Sequence, residues 1–189
     1  MYKLTADPTI VINEDTNEII PQGSRHWDDY ETWLSDGNTP DPIYSLDDHK
    51  AWKIQQMNDA CKSEIYLGFN SNATGTWLHY PAEDLDQQNL SASVLDSVLA
   101  VQANETSWST PFWCANSTNT WSYLSHNTTQ IQQVGRDGKA QILACLQQKA
   151  TLATQINAMT DYDQITNVTW ISPVGSNQPD ANGYNLPTT

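Results

Sequence analysis

Basic residues are the scarcest resource of this sequence: 8 Lys and Arg stand against 22 Asp and Glu in 189 residues, a formal net charge of −14. Only 16% of residues are charged, so the acidity reflects a shortage of bases more than an abundance of acids. A chain with so few cations cannot build the phosphate-neutralising face that nucleic-acid binding needs, and an anionic membrane surface would repel it. Apolar runs are only a few residues long, which leaves nothing to span a bilayer. The opening residues MYKLTADPTIVINEDTNEII contain no apolar core of a secretory signal. Six Asn-x-Ser/Thr sequons, at Asn72, Asn89, Asn104, Asn116, Asn127 and Asn167, therefore carry little weight as glycosylation sites, and synthesis in a bacterial-type cytosol is the expectation.

Cysteine is sparse as well. Cys61, Cys114 and Cys145 are odd in number and far apart, with no Cys-x-x-Cys, so they read as reduced, buried thiols rather than a disulfide framework. One of them bridging to another chain is the sharper alternative. Phe occurs only twice, whereas Trp and Tyr occur eight times each. Those two side chains join a large apolar body to a polar tip and suit interfaces and half-buried sheet faces. With 38% hydrophobic residues the chain still holds enough for a modest core.

Along the chain, Thr9–Ile12 and Glu18–Ile20 are β-branched runs around a turn-rich stretch, a hairpin signal. Ser24 then caps a short helix in which Trp27, Tyr30, Trp33 and Leu34 share one face, and Gly37 stops it. Pro40 and Pro42 predict a stiff linker, which makes residues 1–42 a hairpin-and-helix appendage with an exposed aromatic face for partner docking. The main domain, 43–172, opens with Ser45 and Asp48 as a capping box and a helix running to Gly68. A strand at 76–80 follows, then a helix from Asp84 marked by Leu90, Val94, Val98 and Val101. Residues 110–126 form a second hairpin signal, 128–159 a long helix weakened or packed closely at Gly135 and Gly138, and Val168–Ile171 a closing strand. Residues 173–189 are a Pro-, Asn- and Gly-rich tail. The order predicts an α+β fold: a small antiparallel sheet with helices packed on one face, plus the N-terminal appendage.

No phosphate loop, nucleophile elbow, zinc-protease or dinucleotide motif is present in the sequence. His79, Cys114 and His126 are weak zinc candidates that would have to converge through strand pairing. Acidic pairs at Asp28/Asp29, Asp47/Asp48, Glu83/Asp84/Asp86 and Asp161/Asp163 sit where helix N-termini belong, so capping explains them better than a glycosidase pair. The reading is a non-enzymatic protein with no catalytic residues, no cofactor and no metal.

Residues 29–40, DYETWLSDGNTP, resemble an element near the start of small tailed-phage proteins encoded with tail fibres. CKSEIYLGFNSNATGTWLHY (61–80), DQQNLSASVLDSVL (86–99), TPFWCANSTNTWSYLSH (110–126) and QIQQVGRDGKAQIL (130–143) resemble a phage-tail-associated domain of uncharacterised function. The resemblance covers most of residues 25–170 and implies a tail-fibre assembly protein or chaperone, present in the host cytoplasm during assembly. Its implied partner is a tail fibre or baseplate protein, and a homo-oligomer is left open. A permanent virion subunit of the fibre or baseplate is the alternative, and a carbohydrate-binding module at the host surface is a third class. The resemblance carries no catalytic residues with it. The Asn/Thr-rich spacing and the acidic, Pro-rich tail depart from the pattern.

Overall fold

The computed structural model describes residues 1–173. Twelve elements follow one another: β1 (Tyr2–Leu4), β2 (Ile10–Asn13), β3 (Glu18–Pro21), α1 (Arg25–Ser35), α2 (Leu46–Tyr66), β4 (Phe69–Ser71), β5 (Leu78–Tyr80), α3 (Asp84–Gln102), β6 (Ser109–Ala115), β7 (Trp121–Asn127), α4 (Thr128–Ala158) and α5 (Tyr162–Thr166). They form an α+β fold with two antiparallel sheets, β1-β2-β3 and β4-β5-β6-β7.

The first sheet pairs Val11 with Ile20 and turns both inward. Helix α1 lays its aromatic face on them, so Trp27 and Tyr30 are buried beside Tyr2, with Trp33 packed at the margin. The rings meet edge to face, Tyr2–Tyr30 at 5.1 Å and Trp27–Tyr30 at 5.2 Å, and the Trp27 indole donates to Glu31 Oε1 at 2.8 Å. This corrects the expected exposed docking face. Three short strands have little else to bury, and the aromatic stripe becomes the core of its own unit; of the four residues proposed for docking, only Leu34 is exposed. Ser24 has the extended backbone of an N-cap, but its hydroxyl makes no capping bond. Gly37 adopts φ +88° at the helix exit, where a side chain would be strained. The expected linker is not free-standing either, since Asp41 returns to β1: Leu4 N–H donates to Asp41 O at 2.9 Å and Asp41 N–H to Tyr2 O at 2.8 Å.

Helix α2 begins with the expected capping box, Asp48 N–H donating to Ser45 Oγ at 3.1 Å and Ser45 N–H to Asp48 Oδ2 at 3.3 Å. Analogous boxes open α3 (Glu83, Asp86) and α4 (Asn127, Gln130), and Asp161 caps α5. Most of the acidic pairs are thereby placed at helix N-termini, where the macrodipole favours negative charge. At the opposite ends, Lys50 Nζ donates to Asn157 O at 3.0 Å and Lys53 Nζ to Thr166 O at 2.8 Å, supplying the cation that the last turns of α4 and α5 lack.

The main core lies between the second sheet and helices α3 and α4. Phe69, Leu78, Tyr80, Phe112 and Cys114 come from the sheet, Leu90 from α3, and Ile131 and Val134 from α4. A second layer joins α2, α4 and α5 through Met57, Leu152, Ile156 and Ile165, continued by Cys61, Ile65 and Cys145. All three thiols are free and buried. Gly135 and Gly138 are close-approach positions in a continuous α4: a Cβ would stand 2.7 Å from Val94 Cγ2 at the first and 2.8 Å from the Phe69 ring at the second. Val168–Ile171 does not pair as a strand; Val168 and Trp170 instead pack as half-buried side chains against α2 and α4. Its β-branched residues fit a strand, but in the fold they meet a helical groove instead. The tail from residue 174 onward lies outside the described residues.

Candidate functional site

Strand parity decides the fate of His79, Cys114 and His126. His79 stands opposite Ala115, so it shares that residue's face of the sheet, and Cys114 points to the other face. His126 stands opposite Thr110 and shares the face of Cys114. The partner of Cys114 is Ser122, which places His126 four residues farther along the strand, about 13 Å away at normal strand rise. The three cannot close on one ion, and no cluster of three or more His, Cys, Asp or Glu suited to a metal occurs among the described residues.

These groups serve the core instead. The His126 Nδ1–H donates to Leu124 O at 2.8 Å, which leaves Nε2 as the acceptor for the Tyr80 hydroxyl at 2.8 Å. The Tyr80 ring stacks on Phe69 at 5.5 Å and 17° and is fully buried. Burial holds the His79 imidazole down at about pKa 4, against a partial offset from its hydrogen bond to the Leu67 backbone, and depresses His126 as well. Burial also raises the Tyr80 phenol, and it lifts the Cys114 and Cys145 thiols to about 11. Neutral imidazoles and protonated thiols sealed from solvent suit a packed core and offer no nucleophile to an incoming ligand.

The accessible chemistry lies on α3 and the β6–β7 hairpin. On α3 the buried residues are Leu90, Ser97 and Ala100, while Leu85, Leu95 and Leu99 are each more than half exposed. With Ala92 they recur at spacings of seven, three and four residues, one stripe of a helical surface. Val98 and Val101, expected on the inner face, also reach solvent. The helix is thus apolar on more than one side and covered on only one of them. Single exposed leucines are ordinary; a helical stripe of them is the mark of an interaction surface.

Beside this stripe a groove of about 550 Å³ runs between α3 and the hairpin, lined by Leu85, Asp86, Asn89, Ala92, Trp113 and Tyr123 among others. Its aromatic wall is ordered by ring contacts, Trp113 stacking on Trp121 at 5.9 Å and meeting Tyr123 at 4.9 Å. Tyr123 is 70% exposed. Beyond the groove, Trp108 donates its indole N–H to Asp96 Oδ2 at 2.9 Å, tying the approach to β6 onto α3. The helix itself carries charge of one sign, Asp84, Asp86 and Asp96 with no Lys or Arg. Residues 63–135 contain no Lys or Arg, and the ionisable carboxylates there are Glu64, Glu83, Asp84, Asp86, Asp96 and Glu105. A second groove of about 590 Å³ separates α3 from α4, floored by Phe69, Leu90 and Gly138 and flanked by Arg136 and Lys139.

The residues expected from the sequence to dock a partner and those exposed on α3 and the hairpin are different sets. The N-terminal aromatic helix is consumed by its own core. The α3 stripe is masked in the sequence by the apolar residues at 90, 94, 98 and 101, which supply a competing periodicity on the same helix.

The fold and surface define a class: an α+β domain whose titratable interior is closed and whose outer helix carries an acidic-rimmed apolar stripe. The chain belongs to the family described as domain of unknown function DUF4376, whose model matches residues 48–169. The match spans α2 through the residues after α5 and leaves the N-terminal unit outside it. No curated protein matches the chain, and no solved structure matches it. Among the described residues, no helix is long and apolar enough to cross a membrane.

Proposed function

We propose that this protein is a non-enzymatic binding factor that accompanies a phage tail fibre during assembly and docks on it through the outer face of α3. The resemblance of residues 29–40 to small proteins encoded with tail fibres, and of 61–80, 86–99, 110–126 and 130–143 to a phage-tail-associated domain, supplies the biological setting. The observation that carries the docking reading is the exposed stripe Leu85–Ala92–Leu95–Leu99 on a helix of the family-matched domain. Full burial of a leucine is worth about 1.5–3 kcal/mol, so covering the exposed halves of Leu95 and Leu99 supplies about 1–1.5 kcal/mol each. The carboxylates carried on α3, Asp84, Asp86 and Asp96, favour a partner segment that is apolar and flanked by Lys or Arg.

Such a surface suits a chaperone for a β-rich trimer, whose long-range strand pairing is slow and leaves edges exposed. The test is co-expression with a candidate tail-fibre protein. Soluble trimer should form with the wild-type chain and fall sharply with Leu95→Asp/Leu99→Asp; equal yield without the chain removes the chaperone reading. Presence in purified virions at fibre stoichiometry identifies a permanent fibre or baseplate subunit instead.

One observation favours a second reading. The Trp113–Tyr123 wall faces Asp86 and Asn89 across the groove, and aromatic faces with nearby amide and carboxylate groups suit a sugar ring. Glycan binding that disappears in Trp113→Ala would support a carbohydrate-binding module; an array without hits would exclude it.

A further inference from the structure

We propose that two copies of this chain associate through the outer edge of β7, antiparallel about a two-fold axis at Leu124. Strand β7 is last in the order β4-β5-β6-β7 and pairs only with β6 among the described residues. It is seven residues long, and Ser122 to Ser125 are exposed on both faces of the sheet. The strand's own sequence carries none of the residues that blunt an edge: β7 holds no Lys, Arg, Asp, Glu or Pro.

The ladder parity shows which backbone groups point outward. Asn116 N–H donates to Thr120 O at 3.2 Å, so the alternate pairs Cys114–Ser122, Phe112–Leu124 and Thr110–His126 are the hydrogen-bonded ones. Pro111, which has no N–H to give, stands opposite Ser125 at a position where none is required. The N–H and C=O groups of Tyr123 and Ser125 therefore face away from β6. Those of Asn127 are partly used, since its N–H donates to Gln130 Oε1 at 2.9 Å in the cap of α4.

This spacing is self-complementary. With Leu124 facing Leu124 of a second copy, Tyr123 lies opposite Ser125 of that copy and the reverse holds too. Both pairs are then of the hydrogen-bonded type, giving four new backbone bonds from the four outward groups of each edge. The two leucines form the close, non-hydrogen-bonded pair at the axis, and the exposed Tyr123 rings extend the aromatic wall of Trp113 across the junction.

Electrostatics selects a second copy as the occupant. Two bodies of charge −14 repel over most of their surfaces. Residues 106–135, which include the whole hairpin, contain no Asp, Glu, Lys or Arg, so the edge itself brings no like charges together. A basic partner gains nothing from this edge that the acidic α3 face would not offer better.

Sedimentation equilibrium of the full chain from micromolar to near-millimolar concentration provides the test. A concentration-dependent dimer is expected, and a monomer throughout overturns the proposal. Leu124→Lys places two cations against each other at the axis and should raise the dimer dissociation constant at least about tenfold. Ser125→Pro removes only an outward N–H and should do the same; far-ultraviolet circular dichroism checks that each variant keeps its fold. Leu124→Cys reads the register directly. The close pair brings Cα atoms about 4.5 Å apart, within disulfide range, so mild oxidation should give a covalent dimer. A wild-type dimer that survives both Leu124→Lys and Ser125→Pro, or a Leu124→Cys protein that stays uncrosslinked, places the contact elsewhere.

Discussion

Replacing Gly138 by Ala sets two effects of opposite sign against each other. In a helix interior Ala is favoured over Gly by about 1 kcal/mol, because Gly loses more backbone entropy on ordering. Against that, the new methyl would stand 2.8 Å from both Cε1 and Cζ of Phe69 and 3.3 Å from Cε2. Whether the ring can yield decides the outcome. Phe69 is buried, its ring is stacked on Tyr80 at 17°, and the Tyr80 hydroxyl is held by His126. The ring is thus packed against a neighbour that is itself fixed by a hydrogen bond. Overpacking of this kind costs about 1–3 kcal/mol, occasionally more, and a contact with two ring atoms inside 3 Å belongs in the upper part of that range. The net expectation is destabilisation by about 1–2 kcal/mol, a fall in Tm of about 2–8 °C for a chain of this size. Gly135→Ala is the internal control. There the close atom is a single methyl of the half-buried Val94 at 2.7 Å. A rotamer adjustment of about 0.5–1.5 kcal/mol roughly cancels the propensity gain, so its Tm should stay near wild type. Guanidinium melts of the two variants beside wild type measure the contrast. A Gly138→Ala protein about 1 kcal/mol more stable than wild type would refute the claim that Gly138 is kept for the Phe69 contact.

Tyr80→Phe keeps the stacking on Phe69 but leaves the buried His126 Nε2 without its donor, which should cost about 1–3 kcal/mol in urea melts; a neutral result would mean that the hydroxyl is dispensable to the core. Stability should fall on acidification through the imidazole range. The His79 pKa is depressed to about 4 in the folded chain, so below its ordinary value of 6.5 the unfolded chain takes up a proton that the native one refuses. Its contribution is complete above pH 6.5 and is lost as pH falls towards 4, on the order of 3 kcal/mol in total, with His126 acting in the same direction. Chemical melts at pH 7.5, 5.5 and 4.5 should show this decline, and a flat profile would contradict neutral burial of the two rings.

Local chemistry made much of the main domain legible. Ser45 with Asp48 announces the start of α2, Asp161 the start of α5, and the turn formers Asn116–Asn119 the hairpin between β6 and β7, because each signal acts over a few residues. The pair Gly135 and Gly138 in α4 marks a close approach for the same reason. What stayed hidden depends on distant partners. Strands β1 and β4 are three residues long, too short to display a period, and exist because β2 and β5 offer them an edge. The run 168–171 has strand composition but meets helices. The aromatic stripe of α1 is visible in the sequence, yet which side of it the first sheet occupies is not. Helix α3 is the most instructive case: its apolar residues recur at two phases, and only tertiary packing shows that the phase holding Leu90 faces inward while that of Leu85, Ala92 and Leu99 faces out.

That outward phase is the centre of the functional account. It is tested most directly by titrating the full chain into a purified tail-fibre protein, the proposed partner, and comparing wild type with Leu95→Asp/Leu99→Asp by calorimetry. Both positions are exposed, so the variant should keep its Tm within a degree or two, while losing about 2–3 kcal/mol of apolar contact should weaken binding about 30- to 150-fold. Unchanged affinity in the folded variant would show that the fibre, if bound, is held by another surface, and no binding by the wild-type chain would remove the fibre as its partner.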